Sequence, residues 1–369
     1  MLISVVGGGQ LGRMLGLAGL PLGLRFRFLD PSPTAPARDV GELIVGAYDD
    51  AGACEQLATG ADAVTFEFEN VSAAALKSLS RLAPVWPPPK ALEVAQDRIA
   101  EKDLFASLGV RVQAYRAVST RADLDEAAGT IGYPFVLKTR RMGYDGKGQV
   151  IVRDAGSLGR AWTELGAASG GLIAEAFVAF SREVSIIAVR GRDGAFDAYP
   201  LVQNEHAAGI LRRTVAPAPA VTATMEAKAR EAARRVMEHT GHVGVLAIEF
   251  FVVDDKDGPT LVANEMAPRV HNSGHWSIEG ARCSQFENHC RAVAGLPQGP
   301  CTLVGPSAMV NLIGTPVETA RAAMGRAGVR VHWYGKEPRA GRKVGHLTLV
   351  GPDAHAESLE LARALRLME

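Results

Sequence analysis

Val245 to Met266 reads VLAIEFFVVDDKDGPTLVANEM. Two apolar, β-favouring runs, Val245–Val253 and Thr260–Met266, flank Asp254-Asp255-Lys256-Asp257-Gly258, a hairpin signal. Side chains alternate along a strand, so Glu249 shares a face with Ala247 and Phe251, and Glu265 with Leu261 and Ala263. Pairing symmetric about the turn sets Glu249 opposite Glu265. Like charges directly opposite destabilise a sheet. Two carboxylates among apolar neighbours therefore ask for a cation, and Mg2+, bound by one or two carboxylates plus substrate phosphates, fits. One glutamate facing solvent or paired with an arginine is the plainer alternative.

The second run continues into a loop, Ala267-Pro268-Arg269-Val270-His271-Asn272-Ser273-Gly274-His275, rich in groups that suit a small oxyanion or a phosphate. His271 and His275 have a zinc-like spacing. Ser273 and Gly274 argue against a helix there, however, and no third ligand is evident. Upstream, the strand pattern Pro134–Lys138 enters Gly143-Tyr144-Asp145-Gly146-Lys147-Gly148-Gln149. Such a loop folds closely over phosphates, with lysines supplying charge. It lacks the GK[ST] ending of a P-loop, and a flexible hairpin tip is the alternative.

Near the start, Gly7-x-Gly9-x-x-Gly12 lies between a strand pattern (Leu2–Val6) and a helical one, and Asp30 ends the next strand pattern. Spacing and context match a dinucleotide fingerprint. Another phosphate ligand or a purely structural turn fits the same glycines. The alternation continues to Ala63–Phe68 and suggests a parallel α/β domain. Trp86-Pro87-Pro88-Pro89 then breaks regular structure, and the first boundary falls near residue 97. Beyond it the strands look longer and antiparallel. A looser stretch, Pro297–Pro306, opens a third unit. In it Lys336, Arg339, Arg342 and Lys343 form a glycine-punctuated basic segment, by default a solvated loop.

Composition is that of an ordinary globular protein, with 47% hydrophobic and 22% charged residues. The 40 basic residues balance 40 acidic ones, which argues against a general nucleic-acid binder. Cys54, Cys283, Cys290 and Cys301 show no C-x-x-C spacing and read as reduced cytoplasmic thiols. No signal-peptide pattern is evident, and no run approaches the roughly 18 apolar residues of a membrane span.

Taken in order, GGGQLGRM, TFEFENV, QDRIAEK, GYDGKGQ, NEHAAGILRRT, NEMAPRVHNSGHWS and HWYGKEPRAGRKVGH resemble the 5-(carboxyamino)imidazole ribonucleotide synthase family of ATP-grasp enzymes. The resemblance implies an α/β and α+β fold with a Rossmann-like N-terminal domain (1–97), a central ATP-grasp domain (98–298) and a small C-terminal β-rich domain (299–369). It implies ATP-dependent joining of bicarbonate to the amine of 5-aminoimidazole ribonucleotide, through carboxyphosphate, in purine biosynthesis. ATP would meet Arg98, Lys138, Gly143, Tyr144, Asp145, Gly146, Lys147, Gly148, Gln149, Glu175, Ala176, Phe177, Val178, Glu183, His206, Asn264 and Glu265. Glu175–Val178 would be the adenine hinge, and Glu183 would meet ribose. Glu249 and Glu265 would hold Mg2+. The ribonucleotide would lie against Gln10, Leu11 and Glu67, with Glu69 in place of Glu67 if the strand register slips by two. Lys336, Arg342 and Lys343 would hold its phosphate. Arg269, His271 and Asn272 would handle bicarbonate, assisted by Tyr144, Asp145 and Lys147. A cytoplasmic homodimer is implied as well. The rivals are a formate-using ATP-grasp glycinamide ribonucleotide formyltransferase, a NAD-dependent oxidoreductase built on Gly7–Gly12 and Asp30, and a catalytically dead nucleotide-binding regulator.

Overall fold

The computed structural model describes residues 1–143, 147–168, 170–256 and 258–367. Four strands, β1 (Leu2–Val6), β2 (Arg25–Asp30), β3 (Glu42–Val45) and β4 (Ala63–Phe66), form a parallel sheet in the order β3-β2-β1-β4. The proline run departs from expectation. Pro89 opens the helix Pro89–Ala95, a position where the missing N–H is not needed.

A second, antiparallel sheet contains β5 (Tyr115–Val118), β6 (Phe135–Thr139), β7 (Gln149–Val152) and β8 (Leu172–Ala176), in the order β5-β8-β6-β7. The glycine-rich segment joins β6 to β7. The third and largest sheet comprises β9 (Arg182–Arg190), β10 (Phe196–Ala198), β11 (Val202–Ala207), β12 (Ile210–Ala216), β13 (Gly244–Asp255), β14 (Gly258–Ala267), β15 (Ser307–Ile313), β16 (Arg330–Trp333) and β17 (Lys343–Val350). Its main path runs β14-β13-β9-β11-β12-β15-β17-β16, with β10 also on β9. The C-terminal strands therefore make no sheet of their own. They extend the large sheet because β15 pairs with the free edge of β12, Arg213 opposite Val310.

The β13–β14 hairpin decides where the acidic residues go. Asp255 pairs with Gly258, Val252 with Leu261 and Phe250 with Ala263. Continued unbroken, that register would set Glu265 opposite Ile248, whose side chain packs in the core beneath the helix Ala223–Thr240. Asn264 is instead an extra residue, and the shifted register brings Glu265 opposite Glu249. The expected pairing exists, but Glu265 does not share a face with Leu261 and Ala263, which remain in the core.

One buried histidine ties two sheets together. His289, on the helix Gln285–Ala294, accepts the Val245 N–H at Nδ1 (3.1 Å). Its Nε2 lies 2.9 Å from Thr65 Oγ1, at the tip of the parallel sheet. With Nδ1 accepting, Nε2 carries the proton and donates it to Thr65. Burial pushes the His289 pKa down to about 3.

His289→Leu should leave Thr65 and Val245 each without a buried partner, costing about 1–3 kcal/mol per group in urea unfolding at neutral pH. A change within about 0.5 kcal/mol, ordinary for a surface substitution, would contradict this. The folded pKa lies below the ordinary 6.5, so on acidification the unfolded chain takes the proton first. This contribution is therefore lost as pH falls from 6.5 toward 3 in the wild type, and the leucine variant lacks that loss.

Candidate active site

Two adjoining cavities, of about 490 and 550 Å3, share Arg98, Glu249, Glu265, Arg269 and His271 as walls. The carboxylate pair thus stands where the chambers meet. Burial and the Glu265 charge push Glu249 up to about 8. Burial acts on Glu265 in the same direction, but Arg98 and Lys138 overcome it and hold that carboxyl below the usual range. Arg98 Nη1 donates to Glu265 Oε2 at 3.0 Å. Glu265 keeps 42% of its side-chain surface open to the cleft, against 16% for Glu249. One proton shared unevenly between facing carboxylates is what an unneutralised pair settles into.

The first chamber has an apolar slot and a charged end. Phe180 stacks on Phe251 with ring centres 4.5 Å apart, and Phe177, Val178, Val136 and Ile151 line the same cavity. Such a slot suits a flat ring. At the charged end, Lys138 Nζ donates to Glu175 Oε2 at 2.7 Å, and Gln113 donates to the same oxygen at 2.6 Å. Glu175 is 1% exposed, and burial raises its pKa. Lys102, Lys138 and Arg98 outweigh this and bring it down to about 2. Lys138 and Gln113 thus engage one oxygen of the Glu175 carboxylate, while its buried Oε1 has no hydrogen-bond partner among the described residues. Glu183 Oε2 meets His206 Nδ1 at 2.7 Å. Burial lowers the His206 pKa, but Glu183, Glu249 and Glu265 together carry it above the ordinary value.

The loop after β14 faces the junction. His271 accepts the Ser273 N–H at Nδ1 and turns Nε2 toward Glu249 Oε1, 3.5 Å away. Burial, with Arg269 beside it, lowers its pKa to about 3. Arg269 Nη2 donates to Glu69 at 2.6 Å. Arg269 Nε, Asn264 Oδ1 and Asn272 Oδ1 are buried with no hydrogen-bond partner among the described residues. Cavity-lining polar atoms left unpaired in this way are capacity for a ligand.

Most of the expected site residues do gather here. Gln10, Leu11, Lys147, Gln149, Ala176 and Lys343 line the first chamber with those already named, and Gly143 lines the second. Gly148, with φ +70°, sits against Thr139 outside both chambers. Tyr144, Asp145 and Gly146 lie outside the described residues. Glu67 departs from expectation. It is 6% exposed and lines neither chamber. Its carboxylate accepts the backbone N–H groups of Gly9 and Gly12, the latter at 2.5 Å, and Asp30 accepts that of Gly8 at 2.9 Å. The glycine turn holds internal carboxylates where a dinucleotide would place its phosphates, which removes the basis for the NAD reading. Glu69 is the acidic residue of TFEFEN that reaches the second chamber. Lys336 and Arg342 also stand outside the two chambers, but Lys336 donates to Gln10, which lines the first.

Gln113, Phe180, Glu101 and Lys102 were not singled out from sequence. Only the last two carried a signal, standing three and four residues after Arg98 on one helix face. A divalent cation fits the junction. Two carboxyl groups stand opposite each other, and burial with the Glu265 charge raises the pKa of Glu249. Among the described residues no group of three or more His, Cys, Asp or Glu side chains could hold a metal, so ligand phosphates would complete its shell.

Comparison with known proteins agrees along the whole chain. Residues 1–96 match the ribonucleotide synthetase preATP-grasp domain, 103–286 the ATP-grasp domain, and 307–359 the phosphoribosylaminoimidazole carboxylase C-terminal domain. The chain is 49% identical to an N5-carboxyaminoimidazole ribonucleotide synthase of Pseudomonas aeruginosa, over 100% of both chains. It is 52% identical to the N5-carboxyaminoimidazole ribonucleotide synthetase of Thermus thermophilus, known from a crystal structure, with a TM-score of 0.91 and 98% of each chain covered. An Aspergillus clavatus synthase solved with ADP and 5-aminoimidazole ribonucleotide is 30% identical, with a TM-score of 0.90 over 100% of this chain and 98% of that one.

The raised Glu249 pKa has a stability consequence in metal-free protein. Its contribution is full below the ordinary 4.5 and is lost as pH rises through about 8. The thermal midpoint should therefore fall between about pH 5 and pH 9, and Glu249→Gln should flatten that fall. Glu101, pushed by burial to about 8 as well, leaves a residual slope. An unchanged slope in Glu249→Gln would contradict the assignment.

Proposed function

The chain belongs to the N5-carboxyaminoimidazole ribonucleotide synthase family, and from that premise we propose how its own residues carry the ATP-dependent carboxylation of 5-aminoimidazole ribonucleotide in purine biosynthesis. The observation that carries the assignment is the junction of the two chambers at Glu249 and Glu265, with an apolar slot on one side and an oxyanion-suited loop on the other.

ATP lies in the first chamber. Its base enters the Phe177–Phe251 slot against the backbone of Glu175–Val178, and its ribose meets Glu183. Arg98, Lys138, Lys147 and Gln149 turn their polar groups to the phosphates. Glu249 and Glu265 hold Mg2+, which supplies positive charge to phosphate oxygens when bound. Arg269, His271 and Asn272 orient bicarbonate at the junction. His271, whose pKa is about 3, stays neutral at pH 7 and donates from Nε2. A bicarbonate oxygen attacks the γ-phosphorus, ADP leaves, and carboxyphosphate forms. The amine of the ribonucleotide then attacks the carboxyl carbon, the C–O bond to phosphate breaks, and phosphate leaves with the proton that the amine loses. Positioning and charge do most of the work in phosphoryl transfer, which accounts for a site built of fixed cations and few proton donors.

The ribonucleotide enters against Gln10 and Leu11. Lys336, Arg342 and Lys343 hold its phosphate, and Glu67 acts through the glycine turn it holds. We divide the chain at 1–97, 98–298 and 299–369, which leaves the large sheet shared between the last two parts. Four free, buried thiols support a cytoplasmic location. The family resemblance supports a homodimer, and sedimentation showing only monomer at micromolar concentration would overturn that part alone.

ADP release should require 5-aminoimidazole ribonucleotide and bicarbonate together for full rate, and turnover of glycinamide ribonucleotide with formate would refute the reading. Glu265→Gln should lower kcat roughly 100-fold or more, the loss of several kcal/mol at the transition state. Removing Arg342 or Lys336 should raise the ribonucleotide KM about 10-fold, from a charge-assisted bond worth roughly 1.5–3 kcal/mol. The ATP KM should barely move, and unchanged ribonucleotide kinetics in both variants would return the segment to a solvated loop.

A further inference from the structure

The helix Arg98–Ser107 carries Arg98, Glu101 and Lys102 at positions i, i+3 and i+4, on one face. All three reach residues 263–266 of β14. Arg98 holds the Glu265 side chain. The other two hold only backbone. Lys102 Nζ donates to the carbonyl oxygen of Ala263 at 3.2 Å and to that of Asn264. Glu101 Oε1 accepts the N–H of Met266 at 2.6 Å. These three backbone groups bracket Glu265 and contain the bulge.

Both side chains are deeply buried, Lys102 at 0% and Glu101 at 2% exposure. Taking an amine and a carboxyl group out of water is costly, and apolar residues of similar size would pack there more cheaply. Their geometry shows what they accomplish. A bulge leaves its extra residue outside the ladder, with carbonyls the neighbouring strand does not satisfy. β14 is the end strand of its sheet, so among the described residues no further strand pins its outer edge. The Ala263 N–H is taken by the Arg111 carbonyl at 2.8 Å, and Lys102 and Glu101 serve the backbone groups that follow. If Asn264 slipped back into the ladder, Glu265 would turn to Ile248 and the core, because a one-residue slip reverses every side chain.

We propose that Lys102 and Glu101 are positioning residues for the divalent-cation site: they lock the bulge at Asn264 and so keep Glu265 beside Glu249 on the cleft face. This rests on reading the two glutamates as that site.

The test uses full-length protein with Mn2+ as the probe, its binding followed by electron paramagnetic resonance in the presence of ADP. The metal-free melting temperature is measured alongside. Glu265→Gln marks the loss of the site itself. Lys102→Met keeps length and bulk and removes the donors. It should weaken Mn2+ binding by about 10-fold or more, the usual cost of losing a group that orients a metal ligand. Glu101→Leu should do the same, while Glu101→Gln keeps an acceptor for Met266 and should bind Mn2+ like wild type. A merely structural role would lower the melting temperature of Lys102→Met and Glu101→Leu and leave Mn2+ affinity unchanged, and that result overturns the proposal. Should Lys102→Met not fold, the Glu101→Leu and Glu101→Gln pair decides by the same criterion. If Glu265→Gln itself binds Mn2+ normally, the metal-site reading fails instead.

Discussion

A β-strand repeats every two residues, and Glu249 and Glu265 reach the same face only because Asn264 interrupts that repeat. The rest of the cleft is arranged around this irregularity. It places two acidic groups face to face at the end of the large sheet, and burial together with their repulsion raises the Glu249 pKa. Arg98 and Lys138 bias the pair toward ionisation of Glu265, and His271 Nε2 approaches Glu249 at 3.5 Å. The junction of two chambers is a consequence of where the hairpin turns these side chains.

The molecule meets its charged groups in two ways. Some are satisfied internally, such as Glu67 by the amides of the glycine turn, and Asp97 by Arg140 at 2.6 Å and Arg141 at 2.7 Å. Others are left short of partners, and of these Gln113 Oε1, Glu175 Oε1, Asn264 Oδ1, Asn272 Oδ1 and Arg269 Nε belong to residues that line the cleft. The first group builds a rigid frame, and the second leaves hydrogen-bonding capacity for a ligand. Tyr334 and His346 belong to the frame. Their side chains meet at 2.6 Å across the base of the basic segment, and His346 stacks on His332 with ring centres 4.4 Å apart. The cations between these two anchors are therefore carried on a stapled loop.

Several features were legible in the sequence because they rest on local periodicity. The parallel alternation of the first 66 residues and the β13–β14 hairpin follow from apolar spacing and a turn signal. What was not legible depends on contacts between distant segments. The symmetric hairpin pairing was off by one near its tip, and the bulge restored it, yet a bulge held by Lys102 and Glu101 from another element leaves no mark on the strand itself. The glycine turn reads as a phosphate site because backbone amides attract any anion. Only the fold reveals that Glu67, 55 residues beyond Gly12, supplies one. The choice between Glu67 and Glu69 was undecidable from alternation, since residues two apart share a face.

If Glu249 and Glu265 hold Mg2+ as proposed, the cation displaces the proton that burial and repulsion keep on the pair. Calorimetry of Mg2+ binding with ADP, at pH 7 in buffers of different ionisation enthalpy, reads that proton directly. With Glu249 near 8 in the metal-free protein, the account predicts that binding releases close to one proton, and that Glu249→Gln abolishes the release. Binding with no net proton release in the wild type would contradict it.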